Sequence, residues 1–243
     1  MKYLYSDVRR PLPDQTCLRY DECYAKVLLE KLFPDVFECL QIADAPDLRS
    51  AKNNIGIEVT SSVNEDSHCA ESLYSRWSAL SISESNPETK TQMCRLEEKI
   101  KSRGAVLSDG ILCGPNGVDS FGSILEAVRS KLKKLRSGNY AELSEYRLFI
   151  QSDIFANDKM IRGASEAMGE LCSKDTLPAF SVVYVNVPGY VYVFDTIKNE
   201  ARIYQVDSNL QCELAERARA MVIESEIERI NARVFGDDGD HCF

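Results

Sequence analysis

Histidine, tryptophan and long apolar runs are scarce in this chain of 243 residues, which has two histidines and one tryptophan. With only His68 and His241 available, the second close to the C-terminal end, catalysis built on a histidine base is disfavoured. No stretch approaches the roughly 20 apolar residues of a membrane-spanning helix, and Met1-Lys2-Tyr3-Leu4-Tyr5-Ser6-Asp7 lacks the apolar core of a signal peptide. These absences predict a soluble, cytoplasmic protein with no membrane partner. The nine cysteines include no Cys-x-x-Cys pair, which argues against a zinc knuckle; their odd number and irregular spacing predict reduced, mostly buried thiols. The glycines of Gly110-Ile111-Leu112-Cys113-Gly114-Pro115-Asn116-Gly117 lack the Gly-Lys-Ser/Thr ending of a Walker phosphate loop. Positive charge is also short: 29 Lys and Arg against 38 Asp and Glu give a net charge of −9. Such a balance argues against indiscriminate nucleic-acid binding, whose affinity comes from basic groups neutralising phosphates.

What is present is a hydrophobic fraction of 44%, enough for a full core in one α/β domain spanning residues 1–243. The local charge is not uniform. Arg129, Lys131, Lys133, Lys134 and Arg136 follow one another with no acid between them. Lys90, Arg95, Lys99, Lys101 and Arg103 form a second run, diluted by Glu97 and Glu98. A solvated helix face is the plainer account of either run.

Periodicity predicts a helix from about Asp14 to Phe33, with Tyr24, Ala25, Leu28, Leu29 and Leu32 on one side and Pro34 as its stop. A short strand follows around Val36 to Ile42, and a second, β-branched and apolar, runs from Ile55 to Ser61. From Ser62 to Ser120 the chain turns polar and serine-rich. Helices near Ala70 to Leu80 and Gln92 to Arg103 and turns around Gly110 to Gly117 make this segment, residues 62–120, an insertion. A helix from Ser123 to Arg136 and a strand from Tyr146 to Gln151 come next. After a further polar, helical stretch, the runs Phe180 to Val187, Tyr190 to Thr196 and Ala201 to Val206 predict an antiparallel meander. A charged, peripheral helix near Leu214 to Arg233 and a flexible tail over 236–243 close the chain.

Within this order lies an acidic pair. Pro46-Asp47 puts one carboxylate after an X-Pro step that favours an extended backbone, and Ile55-Gly56-Ile57-Glu58-Val59-Thr60 puts another inside a buried strand. A buried acid needs a partner. Two carboxylates at adjacent strand ends make a site for a hard divalent cation, which takes oxygen ligands and activates water against a phosphodiester.

Pro46-Asp47 with Glu58-x-Thr60, preceded by a helix and followed by a basic helix and an apolar strand, resembles the PD-(D/E)xK nuclease-like superfamily, which includes many restriction endonucleases. The string Ala-Pro-Asp-Leu, then Asn-x-Ile-Gly-Ile-Glu-Val-Thr, then Lys-Leu-x-Lys-Leu is similar to a group of uncharacterised bacterial proteins with that fold. The likeness covers scattered blocks between Tyr20 and Asp153. It implies a restriction-endonuclease-like mixed central sheet flanked by helices, Mg²⁺ or Mn²⁺ held by Asp47, Glu58 and the Val59 carbonyl, and a nucleic-acid substrate, DNA before RNA. The departure is Thr60, which stands where the family pattern has a lysine that orients water and stabilises phosphate charge. In related families with such an exchange a lysine from the following helix substitutes.

Helix geometry selects the candidate for that role. At about 100° per residue, Lys131 falls about 20° from Ile124, on the apolar side, whereas Lys133 and Arg129 point outward and Lys134 sits on the flank about 60° from Lys131. A lysine in an apolar arc is costly unless its ammonium reaches an anion or water, so Lys131 either completes the site or snorkels past the core edge. In the first helix Glu22 falls between Leu29 and Phe33, on the apolar side, and the resemblance implies a glutamate there aimed at the metal. A first-turn acid favoured by the helix dipole is its other reading. Thr60 and Lys134 are further candidate substrate contacts, while Tyr20, Tyr140 and Tyr146 either meet nucleic acid or fill gaps. The expected activity is metal-dependent phosphodiester hydrolysis. The alternative is an inactive nuclease fold kept as a binding module. The insertion is the expected substrate-reading or homodimer-forming part.

Overall fold

The computed structural model describes residues 12, 15–62, 65–81, 86–108, 110–113, 120–138, 140–173 and 178–235. Among them are six helices and nine strands: α1 (Tyr20–Leu32), β1 (Leu40–Ile42), β2 (Leu48–Ser50), β3 (Ile55–Ser61), α2 (Glu65–Ser81), α3 (Pro87–Ser102), β4 (Val106–Ser108), β5 (Ile111–Cys113), α4 (Gly122–Arg136), β6 (Glu145–Gln151), α5 (Asp158–Ser173), β7 (Phe180–Val187), β8 (Tyr190–Asp195), β9 (Glu200–Gln205) and α6 (Ser208–Phe235). The chain is thus α/β with a mixed central sheet, as expected. Seven strands lie in the order β1-β2-β3-β6-β7-β8-β9. The pairs β3–β6 and β6–β7 are parallel and the others antiparallel. No described helix is long and apolar enough to cross a membrane.

Two compact units divide the chain. One comprises Leu18–Ser62 and Val118–Val222, and the other comprises Met1–Cys17, Val63–Gly117 and Ile223–Phe243. The first unit holds the seven-stranded sheet. One sheet face is set by Leu148, Ile150, Phe180, Val183, Val185 and Phe194, which pack with Ile124, Val128, Leu132 and Leu135 of α4 and with Ile161, Ala164 and Met168 of α5. The i, i+4 and i+3 spacings of these helical residues form the apolar stripe that a sheet-packing helix requires. On the other face Phe33 and Phe37 pack with Tyr184 at ring separations of 5.4 and 6.3 Å. The second unit has its own small core of Ala70, Ile100 and Ala105. There Tyr74 stacks on Trp77 at 6.0 Å and donates to the Gly110 carbonyl, while the Trp77 indole donates to Glu97.

Several expected boundaries move. Helix α1 starts at Tyr20; Asp14 lies outside the described residues, and Arg19 takes an extended backbone as its N-cap, with Asp21 and Glu22 in the first turn where the dipole favours them. The strand expected over Val36–Ile42 shrinks to Leu40–Ile42, because Val36 and Phe37 donate to the Phe33 carbonyl in a turn that seats Phe37 among aromatics. A hairpin, β4–β5, stands where only turns were expected; three-residue strands carry too little alternation to read, and Gly110 (φ 78°) supplies the reversal. Helix α6 begins at Ser208, where Asp207 accepts from Leu210 N–H as its cap, and its first half is not peripheral: Leu214, Ala218 and Val222 are fully buried at i, i+4 and i+8. The tail over 236–243 lies outside the described residues. The thiols also differ from expectation. Among the described thiols, Cys17, Cys39, Cys94 and Cys212 are exposed, Cys69 is intermediate, and Cys23 and Cys172 are buried.

The turn carrying Asp47 departs from the X-Pro rule. Ala45 has φ 46°, a left-handed conformation, since the chain reverses here between β1 and β2. Ala43 N–H donates to the Asp47 carbonyl, and the Arg49 guanidinium donates to the carbonyls of Asp44 and Ala45. Gly56 in β3 makes room for this turn: a Cβ there would lie 2.5 Å from both Pro46 Cγ and Leu143 Cδ1. Pro46 is a rigid ring and cannot rotate away. Gly56→Val is therefore expected to destabilise the fold by about 1–3 kcal/mol, the usual cost of overpacking, measured as a lower urea midpoint at unchanged m-value.

Candidate functional site

The pleat decides which β3 side chains share a face. Gly56, Glu58 and Thr60 alternate with Ile57 and Val59, and Glu58 pairs in register with Leu148, whose side chain belongs to the α4 side of the sheet. Glu58 is 1% exposed, so its charge is met by protein groups and not by water. Two of those groups come from α4. Lys131 Nζ lies 2.8 Å and Lys134 Nζ 3.0 Å from the same oxygen, Glu58 Oε1. Lys131 Nζ also lies 3.5 Å from the Val59 carbonyl. The other oxygen, Glu58 Oε2, is buried and accepts no hydrogen bond.

Asp47 is tied to the same strand. Its Oδ2 accepts from Val59 N–H at 2.7 Å, which places the second carboxylate beside the first at the mouth of the β1–β2 turn. Burial raises the Asp47 pKa and the Glu58 charge adds to the rise, against Val59 N–H, Lys131 and Lys134. For Glu58 burial acts in the same upward direction. There the Lys131 and Lys134 ammoniums, with the nearby Tyr140 phenol, outweigh it and hold the carboxyl below its ordinary value. The Lys134 ammonium is held above its ordinary value by the hydrogen bond to Glu58.

Glu22 of α1 is 8% exposed, on the inward side that helix geometry assigned to it. Burial, then the negative charge of Asp47, push its pKa up to about 7, with Arg19 opposing and Asp21 and Glu58 adding smaller rises. Glu22 thus feels both carboxylates. It does not complete a ligand set by contact: among the described residues no three His, Cys, Asp or Glu side chains are placed to hold one metal ion. The oxygens that fit a hard cation are Asp47, Glu58 with its unpartnered Oε2, and the Val59 carbonyl. Their fit rests on the chemistry of this oxygen set and on the buried Glu58 Oε2, which has no hydrogen-bond partner.

The structure therefore brings Asp47, Glu58, Val59 and Lys131 into contact through hydrogen bonds and sets Glu22 within their field. Lys134, read from the helical wheel as a flanking residue, also reaches Glu58, because a lysine side chain is long enough to fold back across one turn. Thr60 is partly buried on the Glu58 face. Tyr140 is the residue that pattern reading left undecided. Its ring takes Lys134 Nζ at 5.6 Å, it packs edge-on to Tyr146 at 6.3 Å, and its hydroxyl is buried without a hydrogen bond. Burial, and then Glu58 and Asp47, raise the phenol pKa far above its ordinary value. Its position outside any helix or strand, between α4 and β6, gave no periodic signal. The adjoining loop is fixed by Tyr146, whose hydroxyl donates to the Ala141 carbonyl and accepts from Leu143 N–H, and by Ala141 N–H donating to the Ala45 carbonyl. Asp35 and Asp44 are exposed. Tyr20 is 39% exposed, and His241 lies outside the described residues.

Fold and site together define an α/β protein whose sheet carries a buried glutamate held by two lysines from one helix, with a second, partly buried carboxylate tied to the same strand. No protein-family model, curated protein or solved structure matches the chain.

The raised Glu22 pKa fixes a sign. Folding binds the Glu22 proton more tightly, so this stabilisation is complete below the ordinary value of 4.5 and is lost as pH rises through about 7. In a chelating buffer the wild-type melting temperature is expected to fall between pH 5 and pH 8 by more than that of Glu22→Gln. Parallel profiles would show that Glu22 is not held protonated.

Proposed function

We propose that this protein hydrolyses phosphodiester bonds of a nucleic acid, DNA before RNA, with a divalent cation held by Asp47, Glu58 and the Val59 carbonyl. The observation that carries this reading is Lys131. Its ammonium sits 2.8 Å from the buried Glu58 carboxylate although Thr60 stands in the position where the nuclease pattern has its lysine. The order α1, β1–β3, α4, β6 with a parallel β3–β6 pair agrees with the PD-(D/E)xK resemblance and supports the same conclusion.

Mg²⁺ or Mn²⁺ at these oxygens would supply Lewis-acid polarisation of the phosphate and a lowered pKa for water. The chain's own groups have separate tasks. Asp47 is aimed by Val59 N–H, so its carboxylate is fixed relative to β3. Lys131 brings a positive charge to a largely enclosed place, where it stabilises charge developing on a phosphate far better than in water. Lys134 presents a second, more exposed ammonium suited to a neighbouring phosphate oxygen. Glu22 stands by as a carboxyl with a pKa near neutrality, able to take or release a proton close to the reacting group.

Cleavage of plasmid DNA and of RNA in Mg²⁺ or Mn²⁺ tests the reading. Glu58→Ala and Asp47→Asn are expected to abolish it. Lys131→Met should lower kcat by roughly 100-fold or more, the scale for removing one preorganised electrostatic group. Equal rates for wild type and Glu58→Ala would end the proposal. A second reading, a non-catalytic nucleic-acid- or protein-binding module, draws on Thr60 and the net charge of −9. Calorimetry with Mg²⁺ or Mn²⁺ that showed no binding, or binding unchanged by Asp47→Asn, would favour it.

A further inference from the structure

One lysine would satisfy the nuclease pattern, yet α4 sends two to a single carboxylate oxygen. Lys131 and Lys134, one turn apart, both donate to Glu58 Oε1, and Lys131 also touches the Val59 carbonyl. The Glu58 carboxylate and the Val59 carbonyl are also oxygens through which a divalent cation would be held. Two ammoniums against Asp47 and Glu58 balance the charge of the pair without any other cation. The two lysines differ in freedom. The Lys131 side chain is 21% exposed, whereas that of Lys134 is 53% exposed and has a second seat for its charge on the Tyr140 ring. Lys134 can therefore leave Glu58 without losing all of its stabilisation, since the aromatic face and water both receive an ammonium.

We infer that Lys131 and Lys134 are resident counter-ions of the carboxylate pair. A divalent cation competes with them for Glu58, Lys134 is the one that yields, and the released ammonium becomes the anchor for an anionic phosphodiester. This rests on the metal-dependent reading above and adds to it the displacement of Lys134 by the ion, with Tyr140 as the positioning residue that receives its ammonium. A divalent ion and an ammonium sharing one carboxylate oxygen repel each other in a weakly screened site, so removing the ammonium must favour the ion.

The test is calorimetric titration of the full chain with Mn²⁺ alone, with no nucleic acid present. Lys134→Met is expected to bind Mn²⁺ about tenfold more tightly than wild type, whereas Lys134→Arg, which keeps the charge, should stay within about twofold. Tyr140→Leu, which removes the alternative seat, should weaken Mn²⁺ binding, and Tyr140→Phe, which keeps the ring, should not. A wild type with no measurable binding beside a Lys134→Met protein that binds also supports the inference. Unchanged or weaker affinity in Lys134→Met overturns it, as does absence of binding in both, because lysines that only orient Glu58 for the ion would give the opposite sign. Should Lys134→Met fail to fold by its thermal melt, Lys134→Gln carries the same comparison. Catalysis is not read in this titration. Tighter Mn²⁺ binding in a protein that cuts no DNA or RNA keeps the counter-ion role and removes the nuclease, and cleavage with lysine-insensitive affinity does the reverse.

Discussion

A carboxylate that water cannot reach governs the architecture around it. Moving an ionised group out of water costs several kcal/mol unless charge and hydrogen bonds compensate it, and Glu58 is almost wholly enclosed. The compensation comes from α4, so this helix must pack against β3 and β6 with Lys131 turned inward and Lys134 on its flank within reach of Glu58. Its apolar residues, Ile124, Val128, Leu132 and Leu135, provide the burial that fixes that orientation. Hydrophobic packing positions the helix, and the ion pairs fix where its charges end.

The Asp47 side of the site follows another constraint. A three-residue strand cannot hold a turn rigid by itself, and this one is fixed by several small commitments: Arg49 on two carbonyls, Val59 N–H on the carboxylate, and Gly56 leaving space for Pro46. None of these is strong alone. Together they hold the second carboxylate against the first, and burial, with the neighbouring carboxylate charge adding to it, raises the pKa values of Asp47 and Glu22.

The legible part of the fold was the part with strong periodicity. Strand β3 read from its apolar run, the meander β7–β9 from alternation and turn residues, and α4 from a stripe that placed Lys131 inward. What failed to read had local causes. Phe37 belongs to an aromatic cluster and not to a strand, Ala45 accepts a left-handed conformation that the X-Pro rule disfavours, and β4–β5 is too short to show a pattern. At the site, Asp47 and Glu58 stood out as acids in unexpected company. The reach of Lys134 back to Glu58 depends on side-chain length and torsions that a helical wheel does not contain, and Tyr140 is placed by loop hydrogen bonds with no periodic signature.

The parallel pairing of β3 with β6 has a consequence for how the site comes into being. Two parallel strands need a crossover between them, and here it includes everything from Ser62 to Ser144, with α4 in its last third. Glu58 and Lys131 are 73 residues apart in the chain, so no partly formed N-terminal hairpin can contain the charged cluster. It appears only when the crossover closes, late in a non-local folding process. Chain length inside that crossover is also entropically cheap, about 0.6 kcal/mol for each doubling of a flexible loop. The long segment between β3 and α4 can therefore change in size and composition while the distance between Glu58 and its lysines stays the same. A chemistry held constant by one helix and one strand is thereby joined to a region free to diversify.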